Sequence, residues 1–310
     1  MIYQHVPLTD IRISIIGLGT VQFGMDYGLT KRISQDEADA VLEASLAEGI
    51  NLIDTARGYG DSENKIGNFK RRHQDADFLV ATKLEVIPKG MEQEPDKLKK
   101  WIWKSIEKSM ESLDLNCIPI LQLHQSIGSL ADSDIFWEEI HRAKNMGRIR
   151  FFGVSVYEPR EVEGIIKNPG KEVDFIQIPY NIFDNSFDLF LPAFRKLNIG
   201  VISRSVFLKG MIPAAMDQLP DELGGMLDYK KSLERLALKR GFSISEMALL
   251  FAVTCDGIHS TLIGMKSRAE VVDNVNALKR IHEFHPIRKE LEDIRIEDSN
   301  LTDPRKWTLS

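Results

Sequence analysis

Cysteine and long apolar runs are scarce in this chain. Its 310 residues include two cysteines, Cys117 and Cys255, which lie far apart and show neither a disulfide framework nor the spacing of metal ligands. No segment approaches the roughly 18 consecutive apolar residues that a membrane span needs, and no basic start followed by an apolar stretch opens the chain. We therefore expect a cytoplasmic protein with reduced thiols and no membrane association.

A surplus of charge of one sign is also missing. The 46 acidic and 40 basic residues leave a net charge of -6, which gives no indication of a polyanionic partner, so nucleic acid binding is not expected. His282 and His285 stand three positions apart, but no Cys/His cluster accompanies them, and we expect no metal site. The sequence contains nothing that fixes the oligomeric state.

What the chain does contain is an alternation of short apolar runs and longer periodic stretches. The short runs are typical of buried strands and cover 15–19, 51–54, 78–83, 118–124, 149–155, 175–178, 200–203 and 261–264. Apolar residues recur at helical spacing over 34–48, 95–113, 134–146, 159–167, 189–197, 228–240 and 243–254. The residues between 208 and 227 interrupt the pattern and form a candidate active-site loop.

This order of elements predicts an α/β fold, a (β/α)8 TIM barrel formed by residues 1–310 as a single domain. The residues around 7–10 predict an N-terminal β-hairpin, and the residues from His282 form a C-terminal tail. An open doubly wound sheet is the alternative, with Asp54 as the ribose-binding acid, but the segment 17–22 lacks the third glycine of a phosphate-binding turn.

Polar residues close three of the predicted strands. Asp54, Lys83 and His124 each follow an apolar run, and Tyr59 lies five residues beyond Asp54 between two glycines. Strand ends and the loops that follow them share one face of a barrel, so the four side chains are expected to converge there.

These residue types form a chemically consistent set. A nearby ammonium stabilises a phenolate, so Lys83 is expected to lower the pKa of Tyr59, and Asp54 is expected to keep Lys83 charged. His124 would donate a hydrogen bond to a carbonyl oxygen. The set predicts proton donation by Tyr59 coupled to hydride transfer.

The combination resembles the aldo-keto reductases, NAD(P)H-dependent (β/α)8 enzymes with an Asp-Tyr-Lys-His tetrad. The resemblance covers nearly the whole chain, from Gly17-Leu-Gly-Thr20 through 54–63 to 262–268 and Asn274. It implies the reduction of an aldehyde or ketone, or the reverse oxidation of an alcohol or sugar. The implied catalytic residues are Asp54, Tyr59, Lys83 and His124.

The same resemblance implies a set of cofactor contacts. They are Ser155 and Gln177 at the nicotinamide, Ser203, Arg204 and Ser205 at the pyrophosphate or ribose, and Gly264, Lys266, Ser267, Arg268 and Asn274 at the adenosine end. Because two cations flank a hydroxyl at 266–268, where the family meets the 2'-phosphate, NADPH is expected over NADH. Val156 replaces the usual asparagine after Ser155, so weaker or altered cofactor binding is expected.

Other interpretations accompany this one. Phe23 and Tyr27, on a loop rich in glycine after the first strand, are candidate walls of a substrate pocket, or they pack on the barrel rim. Lys83 could instead form a Schiff base with a substrate, as in class I aldolases. A third possibility is a non-catalytic role, because some members of the family resemble nucleotide-sensing subunits of larger assemblies.

Overall fold

The structure is a computed structural model and describes residues 1–7, 9–166, 172–292 and 294–308. Its strands are β1 (Tyr3–His5), β2 (Arg12–Ser14), β3 (Ile16–Gly19), β4 (Leu52–Asp54), β5 (Leu79–Lys83), β6 (Ile118–Leu123), β7 (Ile149–Ser155), β8 (Phe175–Pro179), β9 (Gly200–Arg204) and β10 (Ser260–Gly264). The strands β3 to β10 are parallel neighbours in a closed barrel, while β1 and β2 form an antiparallel hairpin. The predicted barrel and its N-terminal hairpin are confirmed.

Helices follow most of the barrel strands. They are α1 (Val21–Gly24), α2 (Gln35–Ala47), α3 (Ser62–Arg72), α4 (Pro95–Leu113), α5 (Asp134–Asn145), α6 (Pro159–Ile166), α7 (Leu191–Lys196), α8 (Leu227–Arg240), α9 (Ile244–Val253), α10 (Arg268–Ala277), α11 (Ile281–Phe284), α12 (Arg288–Glu292) and α13 (Ser299–Thr302). The predicted helix 159–167 is described as far as Ile166, and Lys167 lies outside the described residues. None of the helices in the described part of the chain has the length and apolar character to cross a membrane.

Helices α3 and α10 are among the helices that the sequence pattern does not predict. Helix α3 carries the charged sequence Ser-Glu-Asn-Lys at its start, and only Ile66 and Phe69 supply large apolar side chains to its buried face. Helix α10 begins at Arg268 because the Ser267 hydroxyl accepts the backbone N–H of Glu270. In α3 the apolar residues are too few to produce a clear periodic pattern, and in α10 they are small and not confined to one face of the helix.

The barrel interior is filled below the strand ends by a compact apolar layer. Alternate strand residues face inward, and the buried cluster there comprises Val6, Ile11, Ile13, Leu52, Ala81, Ile120, Phe175, Ile202 and Leu262. Val6 comes from the N-terminal hairpin and lies against Gly200, the first residue of β9. The hairpin therefore closes the end of the barrel opposite the carboxyl ends of the strands.

The C-terminal tail folds onto loops at the open end of the barrel. Trp307 is buried and donates its indole N–H to the carbonyl of Asn300 at 3.0 Å, and the Thr308 hydroxyl lies 2.7 Å from a carboxylate oxygen of Glu222. Arg305 stacks over the Tyr157 ring at 4.1 Å and lies 3.3 Å from Glu158. The tail thus joins the loop after β9 to the loop after β7.

Candidate active site

Inward-facing residues at the carboxyl ends of the strands form one polar layer. Five strands each carry a polar residue two positions after an apolar residue of the barrel interior. The apolar residues are Leu52, Ala81, Ile120, Phe175 and Ile202. The polar residues, in the same strand order, are Asp54, Lys83, Gln122, Gln177 and Arg204. The two-residue period of a strand therefore directs all five polar side chains to the same level above the apolar layer.

Asp54 is the centre of this layer. Its Oδ2 lies 2.6 Å from the Lys83 Nζ, which also donates to the backbone carbonyl of Thr55 at 2.9 Å. Its Oδ1 accepts the side-chain N–H groups of Gln177 at 2.8 Å and Gln122 at 3.3 Å. Asp54 and Lys83 are 4% and 1% exposed, so the carboxylate holds a buried ammonium in a fixed position.

Tyr59 and His124 lie next to this ion pair. The Lys83 Nζ is 5.1 Å from the centroid of the Tyr59 ring, and the His124 ring meets the Tyr59 ring edge-on with centroids 5.4 Å apart. The structure therefore brings together all four residues of the predicted tetrad.

The protonation of the tetrad follows from its burial. Burial, followed by the charge of Asp54, raises the pKa of Tyr59, which is opposite to the direction predicted from Lys83. Burial lowers the pKa of Lys83, and Asp54 opposes that change. Burial, with a smaller effect of Lys83, lowers the pKa of His124 to about 3. At neutral pH the tyrosine is a phenol and the histidine is an uncharged imidazole.

A buried ion pair holds the loop that carries Tyr59. Glu63 is 2% exposed, and its two carboxylate oxygens accept Arg57 Nη1 at 2.6 Å and the Thr82 hydroxyl at 2.6 Å. Arg57 stands two residues before Tyr59, and Thr82 stands next to Lys83. One carboxylate therefore connects the tyrosine loop to the strand of the catalytic lysine candidate.

Close backbone packing supports the same loop. A Cβ added to Gly24 would lie 1.6 Å from the carbonyl oxygen of Tyr59, and Gly60 has a φ of +55°. Only glycine permits this approach and this backbone conformation without strain.

A cavity of about 870 Å³ runs from Asp54 and Tyr59 to Asn274 and Arg280. Six of the predicted cofactor contacts line it, namely Gln177, Arg204, Ser205, Gly264, Lys266 and Asn274. Lys209, on the loop after β9, also lines it, with a φ of +54° that is unusual for a residue with a side chain.

Four predicted cofactor contacts lie elsewhere. Ser203 faces away from the barrel interior and its hydroxyl bonds to Thr261 Oγ1 at 2.9 Å. Ser155 is buried, with its hydroxyl 3.4 Å from Gln177 Oε1. Ser267 caps α10, and Arg268 extends to Glu43 at 3.7 Å. Strand alternation moves Ser203, and the start of α10 moves Ser267 and Arg268, away from the cavity wall, whereas Ser155 faces inward and lies behind Gln177, which lines the cavity.

The two candidate pocket residues, Phe23 and Tyr27, lie in different parts of the structure. Tyr27 lines the cavity, and burial raises its pKa to about 12. Phe23 is fully buried in the core between strands and helices and does not line the cavity. Phe23 does not line this cavity, because the short helix α1 turns its side chain into the core while its neighbour Gln22 lines the cavity.

Val156 contributes through its backbone. Its side chain is 1% exposed within the apolar core, and its carbonyl accepts Arg204 Nη2 at 2.9 Å. The guanidinium also stacks on the Tyr157 ring at 4.5 Å. The residue thus anchors Arg204 at the cavity wall, a role that its side-chain type did not indicate.

Several charged wall residues were also missed. Glu246, Glu270, Asp273 and Arg280 line the cavity, and Gln122 belongs to the Asp54 network. Strand alternation could have indicated Gln122, because it stands two positions before His124 and therefore faces the same side of the strand. Among the described residues no group of three or more His, Cys, Asp or Glu side chains is arranged to hold a metal ion.

Comparison with known proteins gives the family. The model of the "Aldo/keto reductase family" matches residues 15–287. The chain is 28% identical over 289 residues to an L-galactose dehydrogenase of Arabidopsis thaliana, with 88% of this chain and 86% of that protein covered. It is 26% identical over 306 residues to a chloroplastic pyridoxal reductase of the same plant, with 89% and 82% covered.

A solved structure has the same fold. The holo form of aldo-keto reductase AKR11C1 from Bacillus halodurans superimposes with a TM-score of 0.76 at 22% identity, covering 96% of this chain and 99% of that one. With the match to the family model over residues 15–287, the closed barrel and its polar strand ends have one explanation: the chain belongs to the aldo/keto reductase family and is an oxidoreductase.

Proposed function

We propose that the chain reduces an aldehyde or ketone to an alcohol with a nicotinamide dinucleotide, and catalyses the reverse oxidation of an alcohol or sugar. One observation carries the proposal: the buried Asp54–Lys83 pair at 2.6 Å lies beside Tyr59 and His124 at one end of a long cavity. The cavity volume of about 870 Å³ and its polar wall suit an extended dinucleotide together with a small substrate.

The cofactor, when bound, supplies the hydride. Gln177, Arg204 and Ser205 would hold its nicotinamide half near the tetrad, and Lys266 and Asn274 its adenosine half, since these residues line the two ends of one cavity. We propose NADPH as the cofactor because Lys266 offers a half-exposed ammonium for the 2'-phosphate.

Tyr59 is the proposed general acid. Because its pKa is raised by burial, the phenol keeps its proton at neutral pH and can give it to the carbonyl oxygen as that oxygen gains charge. The Lys83 ammonium near the ring stabilises the phenolate that results. A high pKa favours reduction at neutral pH, while oxidation requires the deprotonated form and is favoured by alkaline pH.

His124 is the proposed orienting group. With its pKa near 3 the imidazole is uncharged, so it donates one hydrogen bond to the carbonyl oxygen and does not compete as an acid. Lys83 is less suited to a Schiff base, because its amine is 1% exposed and bonded to Asp54 and to the Thr55 carbonyl. We therefore do not propose the lyase.

The test is a cofactor-oxidation screen combined with Tyr59→Phe. Aromatic aldehydes including pyridoxal, dicarbonyls and aldoses would be offered with NADPH and NADH, and L-galactose oxidation would be followed with NADP+ and NAD+. Tyr59→Phe should lower kcat at least about 100-fold, the usual contribution of a positioned acid, while NADPH binding persists. Full turnover by this variant would refute the assignment.

A further inference from the structure

Carboxylates crowd the end of the cavity where the adenosine half would lie. Glu246, Glu270 and Asp273 line this end together with two cations, Lys266 and Arg280. A dianionic phosphate is disfavoured by an excess of negative charge on the wall around it.

Both cations already have anionic partners. Arg280 lies 3.1 Å from Glu246 and 3.0 Å from Glu283. The Lys266 Nζ lies 3.9 Å from Glu270 Oε1. Arg268, the other cation predicted to bind the phosphate, extends to Glu43 at 3.7 Å and does not line the cavity.

Glu270 is held in place by the backbone. Its Oε2 accepts the N–H of Lys266 at 2.8 Å, so the carboxylate spans both the main chain and the side chain of that residue. Its own N–H donates to the Ser267 hydroxyl at the start of α10. The Glu270 carboxylate therefore occupies a fixed position beside Lys266, the cation on the cavity wall that is predicted to bind the 2'-phosphate.

We propose that Glu270 determines cofactor specificity by acting as an internal anion on Lys266. It limits the preference for NADPH that Lys266 would give and allows the chain to use NADH as well. The proposal rests on the proposed function, since it requires a nicotinamide dinucleotide in this cavity. A 2'-phosphate must compete with the Glu270 carboxylate for the ammonium, whereas the 2'-hydroxyl of NADH does not.

Exposure sets the size of the effect. The side chains of Lys266 and Glu270 are 53% and 38% exposed, so solvent screens their charges. An exposed pair of unit charges changes an equilibrium by up to about fivefold, and a phosphomonoester carries nearly two charges. Removing the carboxylate charge should therefore tighten NADP+ binding about five- to tenfold relative to NAD+.

The experiment is Glu270→Gln, which keeps the side-chain shape and an acceptor for the Lys266 N–H. Dissociation constants of NADP+ and NAD+ would be measured by calorimetry in wild type and variant, with 2',5'-ADP and 5'-AMP as fragments that need no chemistry. The matched control is Asp273→Asn, which removes an equal charge from the same wall, and Lys266→Ala in the Glu270→Gln background tests the partner.

The outcomes are distinct. Support requires a rise of about five- to tenfold in the NADP+ to NAD+ affinity ratio for Glu270→Gln, a rise of less than about twofold for Asp273→Asn, and loss of the gain in the double variant. An unchanged ratio, or an equal rise in both single variants, overturns the role of Glu270. If wild type binds neither dinucleotide, the proposed function itself fails, which is a separate result. Thermal unfolding of each variant verifies that it is folded.

Discussion

Glu63→Ala is expected to disturb both the stability of the protein and the position of Tyr59. The substitution removes a carboxylate that is 2% exposed, so the Thr82 hydroxyl loses its acceptor and Arg57 loses its ionic partner and keeps a contact of 3.4 Å with the Ser112 hydroxyl. Neither partner belongs to the tetrad. Arg57 is joined to Tyr59 through one residue, however, and Thr82 adjoins Lys83, so the loss acts on the spacing between phenol and ammonium.

The magnitude follows from burial. Removing one partner of a buried ion pair costs about 3–5 kcal/mol. The Arg57 side chain is 20% exposed, so water can solvate part of its charge, and we expect a value near the lower limit, about 3 kcal/mol. At about 2.1 cal/mol/K per residue, the unfolding entropy of a 310-residue chain is about 0.65 kcal/mol/K, so each kcal/mol lowers Tm by about 1.5 °C and the expected decrease is about 5 °C.

Thermal unfolding and steady-state kinetics together test this reasoning. In Glu63→Ala, kcat should fall more than KM rises, because the acid is misplaced while the cavity wall remains. Glu63→Gln keeps an acceptor for Thr82 and should lie between wild type and alanine in both measurements. The control is Asp256→Asn, whose carboxylate is 89% exposed in its pair with Arg195 and should change stability by less than about 1 kcal/mol. Equal losses in Glu63→Ala and the control, or a Glu63→Ala variant with unchanged kcat, would refute the positioning role.

Two further predictions concern a proton and a loop. The pKa of His124 is lowered to about 3 in the folded chain from about 6.5 in the unfolded one, so the unfolded state binds an extra proton below that pH and stability falls as the pH drops from about 6.5 towards 3. The free energy of unfolding would be measured with urea at pH 7, 6 and 5. Its decrease with falling pH should be smaller in His124→Gln than in wild type, by up to about 1.4 kcal/mol per pH unit. An identical pH dependence in the two proteins would contradict the assigned pKa. Lys230 is fully buried and its ammonium donates to the carbonyls of Met211, Ile212 and Ala214. These carbonyls belong to the loop 208–227 that follows β9. Lys230→Met should loosen this loop, speed its cleavage in limited proteolysis and raise the cofactor dissociation constant. An unchanged cleavage rate would show that the loop is held by other contacts.

The fold could be predicted from the sequence because each barrel strand is buried on both faces. Such strands are continuous apolar runs, and all eight lie within two residues of their predicted limits. The tetrad could be predicted for a related reason, since Asp54 and Lys83 end their strands. Helix α3 could not, because its buried face includes Glu63 and Lys65, whose partners are distant in sequence.

The cofactor contacts show where local sequence is insufficient. Ser203 and Arg204 are adjacent, yet alternation places only Arg204 on the cavity wall. The family resemblance implies that Arg268 contacts the 2'-phosphate, but the start of α10 directs it to Glu43 on α2. The sequence suggests that Phe23 lies on a pocket wall or packs on the barrel rim, and α1 places it in the core. The positions of Arg268 and Phe23 depend on contacts with residues distant in sequence, whereas that of Ser203 follows from strand alternation.

The N-terminal hairpin, which closes the barrel at the end opposite the carboxyl ends of the strands, has a kinetic consequence. Val6, Ile11 and Ile13 close that end together with interior residues such as Leu52 and Phe175, so a molecule that reaches Asp54 has to enter and leave through the same opening. Two ligands that share a single entrance cannot exchange independently. The one that lies deeper must arrive first and depart last, so initial-rate and product-inhibition patterns should show compulsory order.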